Sequence, residues 1–192
     1  MIKKNFLLLK IIIFFLLFLN KQAYAEFENE LIKKIQNTNT LTFQFNQKIN
    51  DKIQKGKCII KYPKLMRCDY EDAYKKRLIS NGKTLAIIQR RYKKIFYYPL
   101  KTTPLYFILD KEYLIKFIKT SRGQILNNLL IKYEIIENNN KLSIFFDKES
   151  LNLKGWKTVD MYKNDVDFSI SNLKINLPIE KKLFKIPTQE NL

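Results

Sequence analysis

The chain has 192 residues, enough for one domain with a sizeable core, and no repeat or linker suggests a second. Its 11 Tyr and 14 Phe against only 4 Gly exclude a disordered or low-complexity chain. With no histidine it cannot use Ser-His-Asp or Cys-His catalysis, imidazole acid-base chemistry or histidine metal ligands, and 36 Lys and Arg against 18 Asp and Glu give a net charge of +18.

A surface this basic attracts polyanions or anionic membrane faces when the charge is gathered. Here the lysines are spread in pairs among Ile and Asn, so they read as a compositional bias that keeps the chain in solution. Residues 1–25 differ from the rest: Lys3 and Lys4, an apolar run from Phe6 to Leu19 broken at Lys10, then Ala23-Tyr24-Ala25. This pattern reads as a secretory signal peptide cleaved after Ala25. The alternative, an uncleaved anchor, needs an apolar run nearer ~20 residues. Cleavage removes Lys3, Lys4, Lys10 and Lys21 and no acid, lowering the net charge by four to +14. The mature domain, residues 26–192, has no cysteine near the cut, so N-terminal lipidation is not expected. A soluble location outside the cytoplasm follows, where little nucleic acid is met.

From Glu26 to Gln36, Phe27, Leu31 and Ile35 fall at i, i+4 and i+8, which predicts an amphipathic helix with acids in its first turns and Lys33 and Lys34 in its last. In LTFQFNQKI, Leu41, Phe43 and Phe45 alternate with polar residues, the mark of a half-buried strand. Cys58, Ile60 and Tyr62 alternate in the same way, Pro63-Lys64 reverses the chain, and Met66, Cys68 and Tyr70 alternate with Arg67 and Asp69 on the return. Cys58 and Cys68 face each other across this hairpin, either as a disulfide in an oxidising compartment or as a reduced buried pair, as register decides. Two cysteines without histidine make a zinc site improbable. Asn81-Gly82 predicts a two-residue turn with positive φ at both positions, pairing Lys76–Ser80 with Lys83–Gln89. After a reversal over Arg90–Lys93, Ile95–Tyr98 reads as a strand apolar on both faces and stopped by Pro99.

The pattern then turns helical. Thr103 can cap a helix with Pro104 at its first position and Leu105, Ile108 and Leu109 on one face, and Asp110 can cap a second helix carrying Tyr113, Leu114, Phe117 and Ile118. This apolar insertion is either an ordinary packing helix or a lid over the sheet. Strand patterns resume over Ile125–Glu137 and Lys141–Phe146 about an Asn138-Asn139-Asn140 turn. A hairpin follows from Trp156–Tyr162 to Val166–Ser171, and Leu183–Ile186 reads as a closing strand. Asp160, Asp165 and Asp167 lack the spacing and bidentate Glu of a calcium loop and read as solvated turn acids. No nucleophile elbow, phosphate-binding glycine loop or close carboxylate pair is present, so neither an enzyme nor a cofactor is expected.

The order of these parts resembles the LolA family of periplasmic outer-membrane lipoprotein carriers. The likeness rests on the N-terminal helix, LTFQFNQ, the run from Gly56 to Tyr70 with its Pro turn, SNGKTL, the Thr103-Pro104-Leu105 helix, the Trp156 hairpin and the LFKI end. It implies a mainly β fold, a curved antiparallel sheet forming an unclosed β-barrel with a helical lid. The cavity that binds acyl chains is then expected among Phe43, Phe45, Met66, Tyr70, Phe96 and Tyr98, beneath lid residues Leu105, Ile108 and Leu109. Relatives commonly carry Arg where this chain has Tyr62, and an aromatic where it has Ala86. Control of the lid is therefore expected from Tyr62, either with Arg67 as substitute for the missing Arg or in a manner that differs from relatives.

The partners implied are acylated lipoproteins, an inner-membrane ABC lipoprotein-release complex and the outer-membrane receptor LolB or a substitute, with a monomeric protein carrying lipoproteins from inner to outer membrane through the periplasm. The absent lipidation cysteine favours carrier over receptor. Two other readings stand beside this one: a non-transporting periplasmic half-barrel that senses lipoproteins or binds a protein partner, and an exported basic protein acting at an anionic surface.

Overall fold

Phe43 and Phe45 anchor the inner face of a ten-residue strand, β1 (Thr40–Ile49), from which the sheet spreads in both directions. The structure, a computed structural model, describes residues 27–137, 140–160 and 163–192. The expected signal peptide lies outside the described residues, as do Asn138 and Asn139 of the triple-Asn turn and Met161 and Tyr162 of the last hairpin. Residues 27–37 form helix α1, whose Leu31, Ile32 and Ile35 are buried, as its apolar spacing requires. The remaining strands are β2 (Lys52–Lys61), β3 (Leu65–Tyr70), β4 (Lys76–Asn81), β5 (Thr84–Gln89), β6 (Lys94–Pro99), β7 (Gln124–Leu126), β8 (Leu130–Glu137), β9 (Asn140–Asp147), β10 (Leu153–Val159) and β11 (Asp165–Ile175).

These eleven strands make one antiparallel sheet in the order β6-β5-β4-β3-β2-β1-β11-β10-β9-β8-β7, so β6 and β7 are free edges and the barrel is not closed. Burial alternates along β1, β2, β8 and β11, with the apolar set on the concave side. Gly56 lets the wall pack tightly: a Cβ there would collide with the Asp69 carbonyl and the Phe45 ring. Helices α2 (Leu105–Leu109) and α3 (Lys111–Thr120) lie against the concave face, and Asp110 caps α3 by accepting a 3.2 Å bond from the Tyr113 N–H.

Several expectations are corrected. The β4–β5 turn centres on Gly82-Lys83, with positive φ at Gly82 alone. Asn81 ends β4, and its Oδ1 accepts from the N–H groups of Lys83 and Thr84. Glycine at the first central position suits a II′ turn, and the side chain of Asn81 replaces a second left-handed residue. Ile125–Glu137 is two strands because Asn127 and Asn128 both adopt left-handed backbone and break the run. Thr103 does not cap α2, since its hydroxyl donates backward to the Leu100 carbonyl. Strand β6 is apolar on both faces but only partly covered: Ile95 and Tyr98 pack against the buried clusters, while Phe96 and Tyr97 stay exposed. The closing strand is absent: Lys181–Phe184 is a 3₁₀ turn with Phe184 buried, after which Ile186 and Leu192 cover a small convex-side cluster of Ile79, Ala86 and Ile88.

Candidate functional site

The concave face and the lid enclose an open cavity of about 530 Å³. Its wall comes from Met66, Cys68, Tyr70, Leu78 and Tyr98 on the β3–β6 side and from Trp156, Val166 and Phe168 on the β10–β11 side, with Leu105 and Ile108 above. The two sides meet in an aromatic floor. Tyr70 meets the Phe45 ring edge-on at 4.9 Å, Phe45 stacks on Phe168 at 4.6 Å, and Phe168 stacks on Trp156 at 4.0 Å. Offset and edge-on rings of this kind add about 0.5–1.5 kcal/mol per pair beyond burial and fix the floor's shape. The Tyr70 hydroxyl donates to Gln47 Oε1 at 2.6 Å, and burial pushes its pKa up, so it remains a neutral donor.

The expected site residues fall into three groups. Met66, Tyr70, Tyr98, Leu105 and Ile108 line the cavity together. Phe43, Phe45 and Leu109 are fully buried one layer behind it, where Phe45 supports Phe168 from beneath. Phe96, opposite Ile87 on β6, is not among the cavity-lining side chains and is 43% exposed. Cys58 and Cys68 are register partners on β2 and β3 and form a disulfide, with Cα atoms 4.1 Å apart. Trp156 and Phe168, absent from the sequence-based set of site residues, are brought together only by β10–β11 pairing. Their signal was the aromatic content of the Trp156 hairpin, whose pairing sets Trp156 opposite Phe168.

Control of the lid is also placed differently. Arg67 pairs in register with Ile79 on the convex face and bonds Asp69 at 2.8 Å, so it cannot reach the lid. Tyr62 does lie beneath the α2–α3 junction, with Lys111 Nζ 5.3 Å from its ring centre. The cation that reaches the junction is Lys64. Its backbone N–H donates to the Leu109 carbonyl at 2.9 Å and its Nζ sits 2.9 Å from Asp110 Oδ2. Burial of Asp110 opposes ionisation, but hydrogen bonds from Lys64, the Tyr113 N–H and Tyr106 outweigh it and hold the carboxyl below its ordinary range. The same hydrogen bond raises the Lys64 ammonium above its usual value.

An apolar chamber with stacked rings on its floor and a short helix over one side has the size and lining to hold an apolar chain. Among the described residues no group of three or more His, Cys, Asp or Glu is arranged to hold a metal, and no helix is long and apolar enough to cross a membrane.

Comparison with known proteins agrees with this class. Residues 36–187 match the family described as outer membrane lipoprotein carrier protein LolA, and the chain belongs to that family. No curated protein matches it by sequence. Among solved structures it is similar to an uncharacterized conserved protein from Thermus thermophilus, at 9% identity and TM-score 0.52 over 85% of this chain and 94% of that one. It is also similar to an outer membrane lipoprotein-sorting protein domain from Vibrio parahaemolyticus, at 10% identity and TM-score 0.48 over 85% and 96%. The Pseudomonas aeruginosa MucA/MucB complex is a third, at 8% identity and TM-score 0.47 over 87% and 62%.

Proposed function

We propose that this protein is a periplasmic carrier that takes the acyl chains of lipoproteins into its cavity and ferries them from the inner to the outer membrane. On this reading an inner-membrane ABC release complex loads it and an outer-membrane receptor unloads it. The observation that carries the reading is the chamber itself, walled by apolar and aromatic side chains and closed on one side by Leu105 and Ile108.

Burying an acyl chain stabilises by ~0.8 kcal/mol per methylene, so a chain of roughly fifteen represents about 12 kcal/mol. Cargo comes from a membrane and returns to one, so the cavity need only approach that solvent in quality. A cavity far better than lipid could not be emptied. The lid serves both ends of the cycle by covering the floor when empty and withdrawing when a chain enters, with Lys64 and Asp110 marking the closed position.

Mass spectrometry of the exported protein tests this directly: acylated lipoprotein co-purifies with the parent chain. Leu105 is only half-buried on a five-residue helix, so Leu105→Asp places a charge at the cavity wall with little cost to the sheet. Cargo is expected to fall at least tenfold while circular dichroism is unchanged. Undiminished cargo on Leu105→Asp, or none on the parent, would falsify the assignment.

A further inference from the structure

We propose a membrane-docking surface at one end of the sheet, built on the β5–β6 turn and fitted to an anionic lipid bilayer. Because neighbouring strands are antiparallel, the turns after β1, β3, β5 and β10 share one end of the sheet, whereas those after β2 and β4 share the other with the Lys64–Asp110 contact. At the first end residues 90–94 read Arg90-Arg91-Tyr92-Lys93-Lys94, and all five are exposed. None of the four cations has an ion-pair partner among the described residues.

The turn is held in place. The Arg91 N–H donates to the Tyr74 carbonyl at 3.2 Å, the Tyr74 and Tyr92 rings are 5.6 Å apart, and Gln189 Nε2 donates to the Lys93 carbonyl at 2.6 Å. Exposed Lys75 adjoins Tyr74 and adds to the charge. The acids nearby are Glu71, Asp72, whose Oδ1 already accepts from the Lys76 N–H, and Glu190 beside Gln189, with Asp51 and Asp165 on neighbouring turns of the same end; they are outnumbered on the turn itself. Tyr74, Tyr92, Phe96 and Tyr97 all remain large exposed side chains here, Tyr92 at 52% and Tyr97 at 55%.

Amphipathic rings beside unneutralised Lys and Arg match a bilayer surface, where rings settle at headgroup depth and cations meet lipid phosphates. A protein strand added to the free edge of β6 would be read along its main chain. The cations, however, cluster on the turn before that edge. Although dispersed along much of the sequence, the charge is concentrated here because 74–75 folds against 90–94. Gln47, Tyr70, Lys163 and Val166 of the cavity wall lie at this same end, so docking turns that end toward lipid. The surface stands on its own chemistry and does not require the cavity to carry cargo.

The test is flotation of the purified full chain with vesicles of phosphatidylcholine, with and without phosphatidylglycerol. The chain is expected to float with the anionic vesicles at low salt, to be released at high salt, and to bind pure phosphatidylcholine far less. At about one factor of five per lysine or arginine near the surface, Arg91→Gln/Lys94→Gln should weaken anionic binding roughly thirty-fold. Lys83→Gln/Lys101→Gln removes equal charge at the opposite end and should leave binding within about twofold. Equal effects of the two double variants, binding indifferent to phosphatidylglycerol, or capture of an extended peptide on β6 without vesicle binding overturns the proposal.

Discussion

The wall and the lid enclose the same cavity but are held by different means. The wall at β11, β1 and β2 is tied by main-chain ladders on both sides of β1, the one to β11 shifted in register between Thr42 and Gln44, and is reinforced by the Phe45–Phe168–Trp156 stack and by the Cys58–Cys68 disulfide nearby. The lid touches the β2–β3 turn through one main-chain bond and one ion pair at Lys64, adds side-chain bonds from Lys111 to the Gln36 carbonyl and from the Tyr113 hydroxyl to Glu137, and otherwise rests on apolar side chains. Ladders and stacks have one good geometry, whereas apolar contacts can be exchanged for others of equal area. On the proposed carrier reading, the lid is the side that yields and the wall the side that keeps its shape.

The largest expected effect comes from breaking the wall. Phe168→Ala removes the middle ring of the floor and should cost about 3–5 kcal/mol in urea unfolding, since the neighbouring rings cannot collapse into the gap. An intact protein with a loss below about 1 kcal/mol would show that the wall is as adaptable as the lid.

A smaller effect is expected at the latch. Asp110→Ala loses the α3 cap and the Lys64 pair together, about 1–2 kcal/mol. Hydrogen exchange should quicken in α2 and α3 and stay unchanged in β1. The pH dependence follows from the direction of each shift. The Asp110 carboxyl is depressed in the fold, so its contribution is present above the ordinary carboxylate value of about 3.9 and is lost as pH falls through the lower folded value. Lys64 is raised, so its share persists below about 10.4 and is lost as pH rises through the folded value. Acceleration of lid exchange, beyond the intrinsic rate, between about pH 5 and pH 9 would contradict this assignment.

The smallest effect belongs to the edge. Phe96→Ser should change stability by no more than about 0.5 kcal/mol in thermal melts, because its ring packs against little. A larger loss would mean that the rim is part of the wall.

Much of the wall was legible in the chain because its signal is local. LTFQFNQKI alternates, and β1 follows it residue by residue. The Asp110 cap was legible for the same reason, since donor and acceptor are three residues apart. The Lys64–Asp110 pair was not, because it joins two turns that only the finished fold brings together. Phe96 looked like a wall residue because it shares a strand face with Tyr98, which does line the cavity; how far along β6 the cavity extends is set by the finished fold. Arg67 is a different case. The alternation that placed Met66, Cys68 and Tyr70 inside already sent Arg67 outward, so a strict reading of the strand period would have excluded it from the lid.

The unjoined edges β6 and β7 have a consequence for size. A closed barrel has a bore fixed by strand number and shear. Here no hydrogen-bond ladder among the described residues links the two edges, so strand number and shear do not set the girth of the interior, and the stacked floor and the lid bound it instead.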